Sequence, residues 1–137
     1  MEKLLTKYWG YTAFRPMQRE IIDSALSGKD TLAILPTGGG KSLCFQIPSL
    51  AKPGIAIVVT PLISLMKDQV AALVQSGIRA AYLNSSLSPW QQEEVLYRAA
   101  NGEYKIIYVA PERLELENFL DFAQKSNISL LAVDEAH

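Results

Sequence analysis

The sequence of 137 residues has a single cysteine, Cys44, so it has no internal disulfide. Cys44 stands between Leu43 and Phe45, where packing is the expected use of the thiol. Long hydrophobic runs are also missing. No stretch approaches the roughly 20 apolar residues needed to span a bilayer, and Met1-Glu2-Lys3-Leu4 has no signal-peptide layout. The expectation is an intracellular protein with no membrane partner, in the cytoplasm or nucleoid of a bacterium or the nucleus of a eukaryote. Charge of one sign is not in excess either, with 13 Lys and Arg against 14 Asp and Glu. The chain as a whole therefore offers no basic field for nucleic acid, and any such contact must be local. There is no internal repeat, low-complexity tract or Ser/Gly linker, so the chain reads as continuous folded structure of one domain or less. Its 49% hydrophobic content is ample for a packed core.

Five short apolar runs alternate with helical patterns: 31–35, 55–60, 80–83, 105–110 and 129–133. That alternation predicts an α/β fold with a mostly parallel sheet and helices on both faces. Pro16 suits the first turn of a helix that Gly28 ends. Leu62, Leu65, Met66, Val70, Leu73 and Val74 form an apolar stripe stopped by Gly77. Ser88, Pro89 and Gln91 have the spacing of a capping box, and Gly102 closes the helix they open.

Chemistry enters at Leu35-Pro36-Thr37-Gly38-Gly39-Gly40-Lys41-Ser42, directly behind the first apolar run. A strand that meets a glycine-rich turn and re-enters a helix leaves several N–H groups aimed at one spot, where the helix dipole adds to them. Such a turn cradles phosphate. Lys41 would supply a point charge for the β and γ phosphates, and the Ser42 hydroxyl would ligate Mg²⁺. The strict pattern wants glycine at the place held by Leu35, and a flexible glycine turn before an ordinary helix is the other reading of the motif taken alone.

The last run, 129–133, reads as a buried parallel strand and is followed by Asp134-Glu135-Ala136-His137. In an open α/β sheet, ligands bind at the C-terminal ends of the strands. Asp134 and Ser42 can there face one metal ion, Asp134 through a bound water, while Glu135 orients the attacking water. Lys41, Asp134 and Glu135 are the catalytic candidates.

These motifs occur in order with Phe14-Arg15-Pro16-x-Gln18, Leu43-Cys44-Phe45-Gln46-Ile47-Pro48, Pro61-Leu62-Ile63-Ser64-Leu65-Met66-Lys67-Asp68-Gln69 and Ala110-Pro111-Glu112-Arg113-Leu114. The whole series, from Tyr11 to His137, resembles the RecQ family of DNA helicases. In that family the first place of the phosphate loop is commonly not glycine. The resemblance implies a RecA-like P-loop fold of three layers, α/β/α, and an ATP-driven motor that moves 3′ to 5′ on single-stranded DNA and unwinds duplex.

By the same resemblance Tyr11, Arg15 and Gln18 recognise adenine, and Thr37, Gly38, Gly39, Gly40, Lys41 and Ser42 hold the phosphates. A ring and a guanidinium can hold a flat base and an amide can pair both its edges, while Trp9, Tyr11 and Phe14 can equally be core. Ser64, Lys67, Gln69 and Arg113 match blocks that lie along the DNA path or brace it. Each has a plainer reading: Lys67, Asp68 and Gln69 as a solvated helix face, Ser64 as a cap, and Arg113 as the partner of Glu112 or Glu115.

The cofactors implied are ATP and Mg²⁺, with zinc expected only in a later part of the family's chain. The partners implied are ATP and single-stranded and duplex DNA. The resemblance further implies that 1–137 is part of the first motor domain, without the strand that follows the Asp-Glu strand, the second motor domain with its arginine finger, and the zinc-binding and winged-helix regions. The 137 residues alone are then expected to hydrolyse ATP poorly and to expose an apolar edge prone to self-association. Two further readings remain open: a related motor acting on RNA, and a non-catalytic nucleotide-binding or interaction module.

Overall fold

In the computed structural model, residues 2–10 and 41–133 are described, and they fall into two units divided between Pro53 and Gly54. In the first unit, α1 spans Glu2–Trp9 and α2 spans Lys41–Ala51, and the two helices touch. Gly10 follows α1 at φ +76°, a left-handed residue that closes the helix with its N–H on the Thr6 carbonyl at 3.1 Å. Pro48 sits inside α2 and removes one rung of its hydrogen-bond ladder, yet Lys52 N still donates to the Pro48 carbonyl at 3.1 Å. Gln46, Ile47 and Ser49 are buried.

The second unit is a parallel sheet with helices on both faces. Its elements are β1 (Ile55–Val59), α3 (Ile63–Gln75), β2 (Ala80–Leu83), α4 (Pro89–Ala100), β3 (Ile106–Val109), a 3₁₀ turn (Pro111–Arg113), α5 (Glu117–Lys125) and β4 (Ile128–Val133). The strand order is β2-β3-β1-β4 and every pairing is parallel. Four of the five runs read from the sequence are thus strands to within one or two residues; the fifth, 31–35, lies outside the described residues, as does the helix expected between Pro16 and Gly28.

Sheet order explains the strand sequences. The central strands, Ile-Ala-Ile-Val-Val and Ile-Ile-Tyr-Val, are buried at every position because both of their faces are covered. In-register residues share a face, so Ile57, Ile107, Val59, Val109 and Leu83 form one apolar layer. Leu96 and Ala99 of α4 and Phe119 and Phe122 of α5 pack on it, the two rings 5.9 Å apart and tilted. The opposite layer holds Ala56, Val58, Ile106 and Tyr108, all buried, and receives α3.

β4 departs from expectation. It is parallel but not buried, with Leu131 62% and Val133 59% exposed. Among the described strands it pairs on one side only, at the end of the sheet order; β2, at the other end, is largely buried, so end position alone does not set the exposure.

The helix ends follow their punctuation. Both α3 and α4 close with paired left-handed caps. Gly77 (φ +90°) N and Ile78 N return to Val74 and Leu73, and Gly102 (φ +76°) N and Glu103 N return to Ala99 and Arg98. At the start of α4 the capping box is complete: Ser88 Oγ accepts from Gln91 N at 3.2 Å and Gln91 Oε1 accepts from Ser88 N at 2.8 Å. α3 begins differently. Its cap position is Leu62, with no side-chain cap, so Ser64 is not the cap the sequence allowed it to be. No helix among the described residues is long and apolar enough to cross a membrane.

Candidate nucleotide and nucleic-acid site

Because all four described strands run the same way, the loops after β1, β2 and β3 emerge at one edge, and β4 ends there at Val133. The residue that follows in sequence is Asp134. Asp134 and Glu135 lie outside the described residues, as do Tyr11, Arg15, Gln18, Thr37, Gly38, Gly39 and Gly40. Of the phosphate-loop run, the backbone of Lys41 and Ser42 is described, and these are the first two residues of α2. The helix that follows the three glycines in the sequence is described from Lys41. The side chain of Cys44 lies outside what is described.

The four residues matched to the DNA path are all placed in the second unit. Ser64 and Lys67 are exposed on the first turns of α3, where the chain has just left β1. Gln69 is not on the solvated face. It is half-buried and accepts a 2.5 Å hydrogen bond from the hydroxyl of Tyr108, a fully buried residue of β3. The reason is spacing: Met66, Gln69, Val70 and Leu73 follow the i, i+3, i+4, i+7 rule and share the face turned to the sheet. Leu62 and Val74, counted in the apolar stripe from sequence, fall outside that face and are 45% and 54% exposed.

Arg113, in the 3₁₀ turn after β3, does not pair with Glu112 or Glu115. Its Nη1 donates to Gln92 Oε1 on α4 at 2.9 Å, and its Nε is buried without a partner. Gln92 uses its other end too, with Nε2 donating to the Leu87 carbonyl at 3.0 Å. Leu87 N donates to the Asn84 carbonyl at 3.2 Å. Asn84, fully buried at the end of β2, accepts from Ser86 N at 2.8 Å and Ser86 Oγ at 2.5 Å on Oδ1, and its Nδ2 lies 3.3 Å from Met66 Sδ on α3. A continuous chain of contacts thus joins the segments that follow all three strands. After β1, Thr60 Oγ1 accepts from Leu62 N at 3.4 Å, a long bond that shapes the turn into α3.

Asn84, Gln92 and Tyr108 were not singled out from the sequence. Asn84 carried a usable signal, an Asn with two serines directly after an apolar strand, which is the pattern of a side-chain turn at the ligand edge. Gln92 and Tyr108 carried none, because their partners are 21 and 39 residues away in the chain.

The opposite edge is built otherwise. Gly54, Arg79, Lys105 and Asn127 each precede a strand and are tied mainly by main-chain bonds: Ile55 N to Asn127 O at 2.9 Å, Ala56 N to Lys105 O at 2.9 Å, and Lys105 N to Arg79 O at 2.8 Å. Lys105 Nζ donates to the Gly54 carbonyl at 3.0 Å. Burial, and secondarily the charge of Arg79, holds the Lys105 ammonium below the ordinary lysine value.

Comparison with known proteins agrees with this picture. Residues 15–137 match the DEAD/DEAH box helicase family. The chain is 46% identical over 134 residues to the ATP-dependent DNA helicase RecQ of Pasteurella multocida and 47% identical over 137 residues to that of Bacillus subtilis. It is 45% identical over 138 residues to the ATP-dependent DNA helicase Q-like 5 of Arabidopsis thaliana. These matches cover 98%, 99% and 100% of this chain but 21%, 23% and 15% of the relatives, so the chain spans about a fifth of the length of the curated relatives it matches. The resemblance to RecQ helicases read from the motifs is borne out, and with it the RecA-like P-loop fold class. With the phosphate-loop sequence, the parallel sheet and a family match over nine-tenths of its length, the chain belongs to the DEAD/DEAH box helicase family.

Proposed function

We propose that this chain forms the ATP-binding part of the first motor domain of an ATP-dependent DNA helicase of the RecQ type. The observation that carries the reading is identity near 45% to proteins named ATP-dependent DNA helicases over 98% to 100% of this chain. In this reading Tyr11, Arg15 and Gln18 hold the adenine, the amides of 37–42 and Lys41 hold the phosphates, and Ser42 and Asp134 hold Mg²⁺. Glu135 orients the water that attacks the γ-phosphorus.

Nucleic acid lies across the C-terminal edge of the sheet. Ser64 and Lys67, exposed at the start of α3, and Arg113, half-buried after β3, face its backbone, because hydroxyl, ammonium and guanidinium groups are the ones that take phosphate oxygens. Gln69 braces that surface through Tyr108 rather than touching the strand. The 137 residues taken alone turn over ATP poorly, since an arginine finger from a second motor domain is worth about 10³ to 10⁵ in rate.

Strand displacement by a protein of RecQ length carrying this chain tests the reading. Unwinding of a 3′-tailed duplex with ATP and Mg²⁺, and not of a 5′-tailed one, is expected. Preference for a 5′ tail, or stimulation of ATP hydrolysis by RNA in place of DNA, would overturn it.

A further inference from the structure

Gln92 is polar, half-buried, and belongs to none of the sequence blocks matched to nucleotide or DNA. Its amide is fully engaged across a gap between two loops: Oε1 takes the Arg113 guanidinium at 2.9 Å and Nε2 gives to the Leu87 carbonyl at 3.0 Å. Its main-chain N–H holds Ser88 O at 3.0 Å, in the first turn of a helix fixed by the capping box. The side chain therefore hangs from a rigid anchor. Arg113 sits on a three-residue turn and its Nε has no partner, so the bond to Gln92 is what pins the guanidinium. Leu87 leads back to buried Asn84 and from there to Met66 on α3.

We propose that Gln92 is a positioning residue for single-stranded DNA: its amide locks the Arg113 guanidinium to the segment 84–88, so that the loops after β2 and β3 present one preformed rim to the sugar–phosphate backbone. The inference rests on the reading of Arg113 as a DNA contact. The physical gain is preorganisation. A guanidinium has five donors; Nε–H is buried here, and spending one Nη1 donor on Gln92 fixes the plane that holds the other three. An arginine on an unanchored turn would have to be ordered at the moment of binding, and that cost would appear in affinity for DNA rather than in the chemical step.

The test measures ATP hydrolysis by the RecQ-length protein as oligo(dT) is titrated, for wild type, Gln92→Leu, Gln92→Glu, Arg113→Ala and the double variant Arg113→Ala/Gln92→Leu. Gln92→Leu keeps the shape and loses both bonds, and it is expected to raise the half-saturating oligo(dT) concentration about tenfold while kcat at saturating DNA stays within about twofold. Gln92→Glu keeps an acceptor for Arg113 and is expected to recover most of that loss. In the Arg113→Ala background, Gln92→Leu is expected to add less than about twofold, because a residue acting through Arg113 has nothing left to position.

Unchanged half-saturation in Gln92→Leu, a fall in kcat without a change in half-saturation, or a full multiplicative effect in the double variant would each overturn the inference alone. A wild-type protein whose hydrolysis ignores oligo(dT) would overturn the proposed function beneath it. Gln92→Glu and the double variant keep the idea exposed to failure even where Gln92→Leu is poorly folded.

Discussion

The two ends of the sheet in the second unit are built by different means. At the N-terminal end, Gly54, Arg79, Lys105 and Asn127 are joined mostly through main-chain groups, which any sequence carries, and the demand on residue type falls on Gly54. That glycine sits at φ +102°, and a Cβ there would lie 2.4 Å from the Asn127 carbonyl oxygen. At the C-terminal end main-chain bonds also cross between strands, Thr60 N to Val109 O at 3.2 Å and Ala110 N to Leu83 O at 3.0 Å, but side chains add to them: Thr60, Asn84, Gln92 and Arg113, with Tyr108 just inside the strand. The first end is a closure that serves stability. The second can be tuned residue by residue, and it is where an open α/β sheet receives its ligands.

Changes at the first end should therefore show in melting, and changes at the second in the response to DNA. The largest stability effect expected is from Gly54→Ala, about 3 kcal/mol, because left-handed strain and a backbone clash add together. Chemical denaturation of the purified variant measures it, and a loss below about 1 kcal/mol would mean the closure is softer than the contacts imply. Ser88→Ala should cost about 1 kcal/mol in the same assay by breaking the capping box. Ser64→Ala, which removes no cap, should stay within about 0.5 kcal/mol and instead weaken activation by single-stranded DNA a few-fold. Equal stability losses for the two serines would erase the distinction between the helix starts.

The smallest effect is a pH dependence at the first end. The Lys105 ammonium is disfavoured in the folded protein, so the unfolded chain binds its proton more tightly. Stability then rises as pH climbs from the lowered folded value to the ordinary 10.5. Partial exposure keeps the rise small, and it should be absent from melting curves of Lys105→Met.

How much of this was legible in sequence depended on range. Strands 55–59, 80–83 and 106–109, the capping box at Ser88 and the stops at Gly77 and Gly102 are local signals, and they appear in the structure where the residues placed them. Ser64, Gln69 and Arg113 were ambiguous because their neighbours in sequence offered plausible local partners, while their actual settings are tertiary. Ser64 is the second residue of a helix whose cap position is Leu62, Gln69 meets a tyrosine from β3, and Arg113 meets a glutamine from α4. The burial expected of 129–133 failed for a related reason: composition marks a strand as apolar, but what packs on its faces decides how much is covered, and β2 at the other end of the same sheet is largely buried where β4 is not. The phosphate loop rests on its glycines and Lys41 together with the resemblance to RecQ helicases, since its spacing departs from the strict pattern at Leu35, and residues 35–40 lie outside the described ones.

The most direct trial of the central claim is equilibrium binding of a fluorescent ATP analogue with Mg²⁺ to this chain and to Lys41→Ala. The account predicts saturable, Mg²⁺-dependent binding that weakens at least tenfold in Lys41→Ala, in line with the loss of one charge on phosphate. Equal affinity in the two proteins would contradict it, because the helix that begins at Lys41 would then not be the seat of the triphosphate.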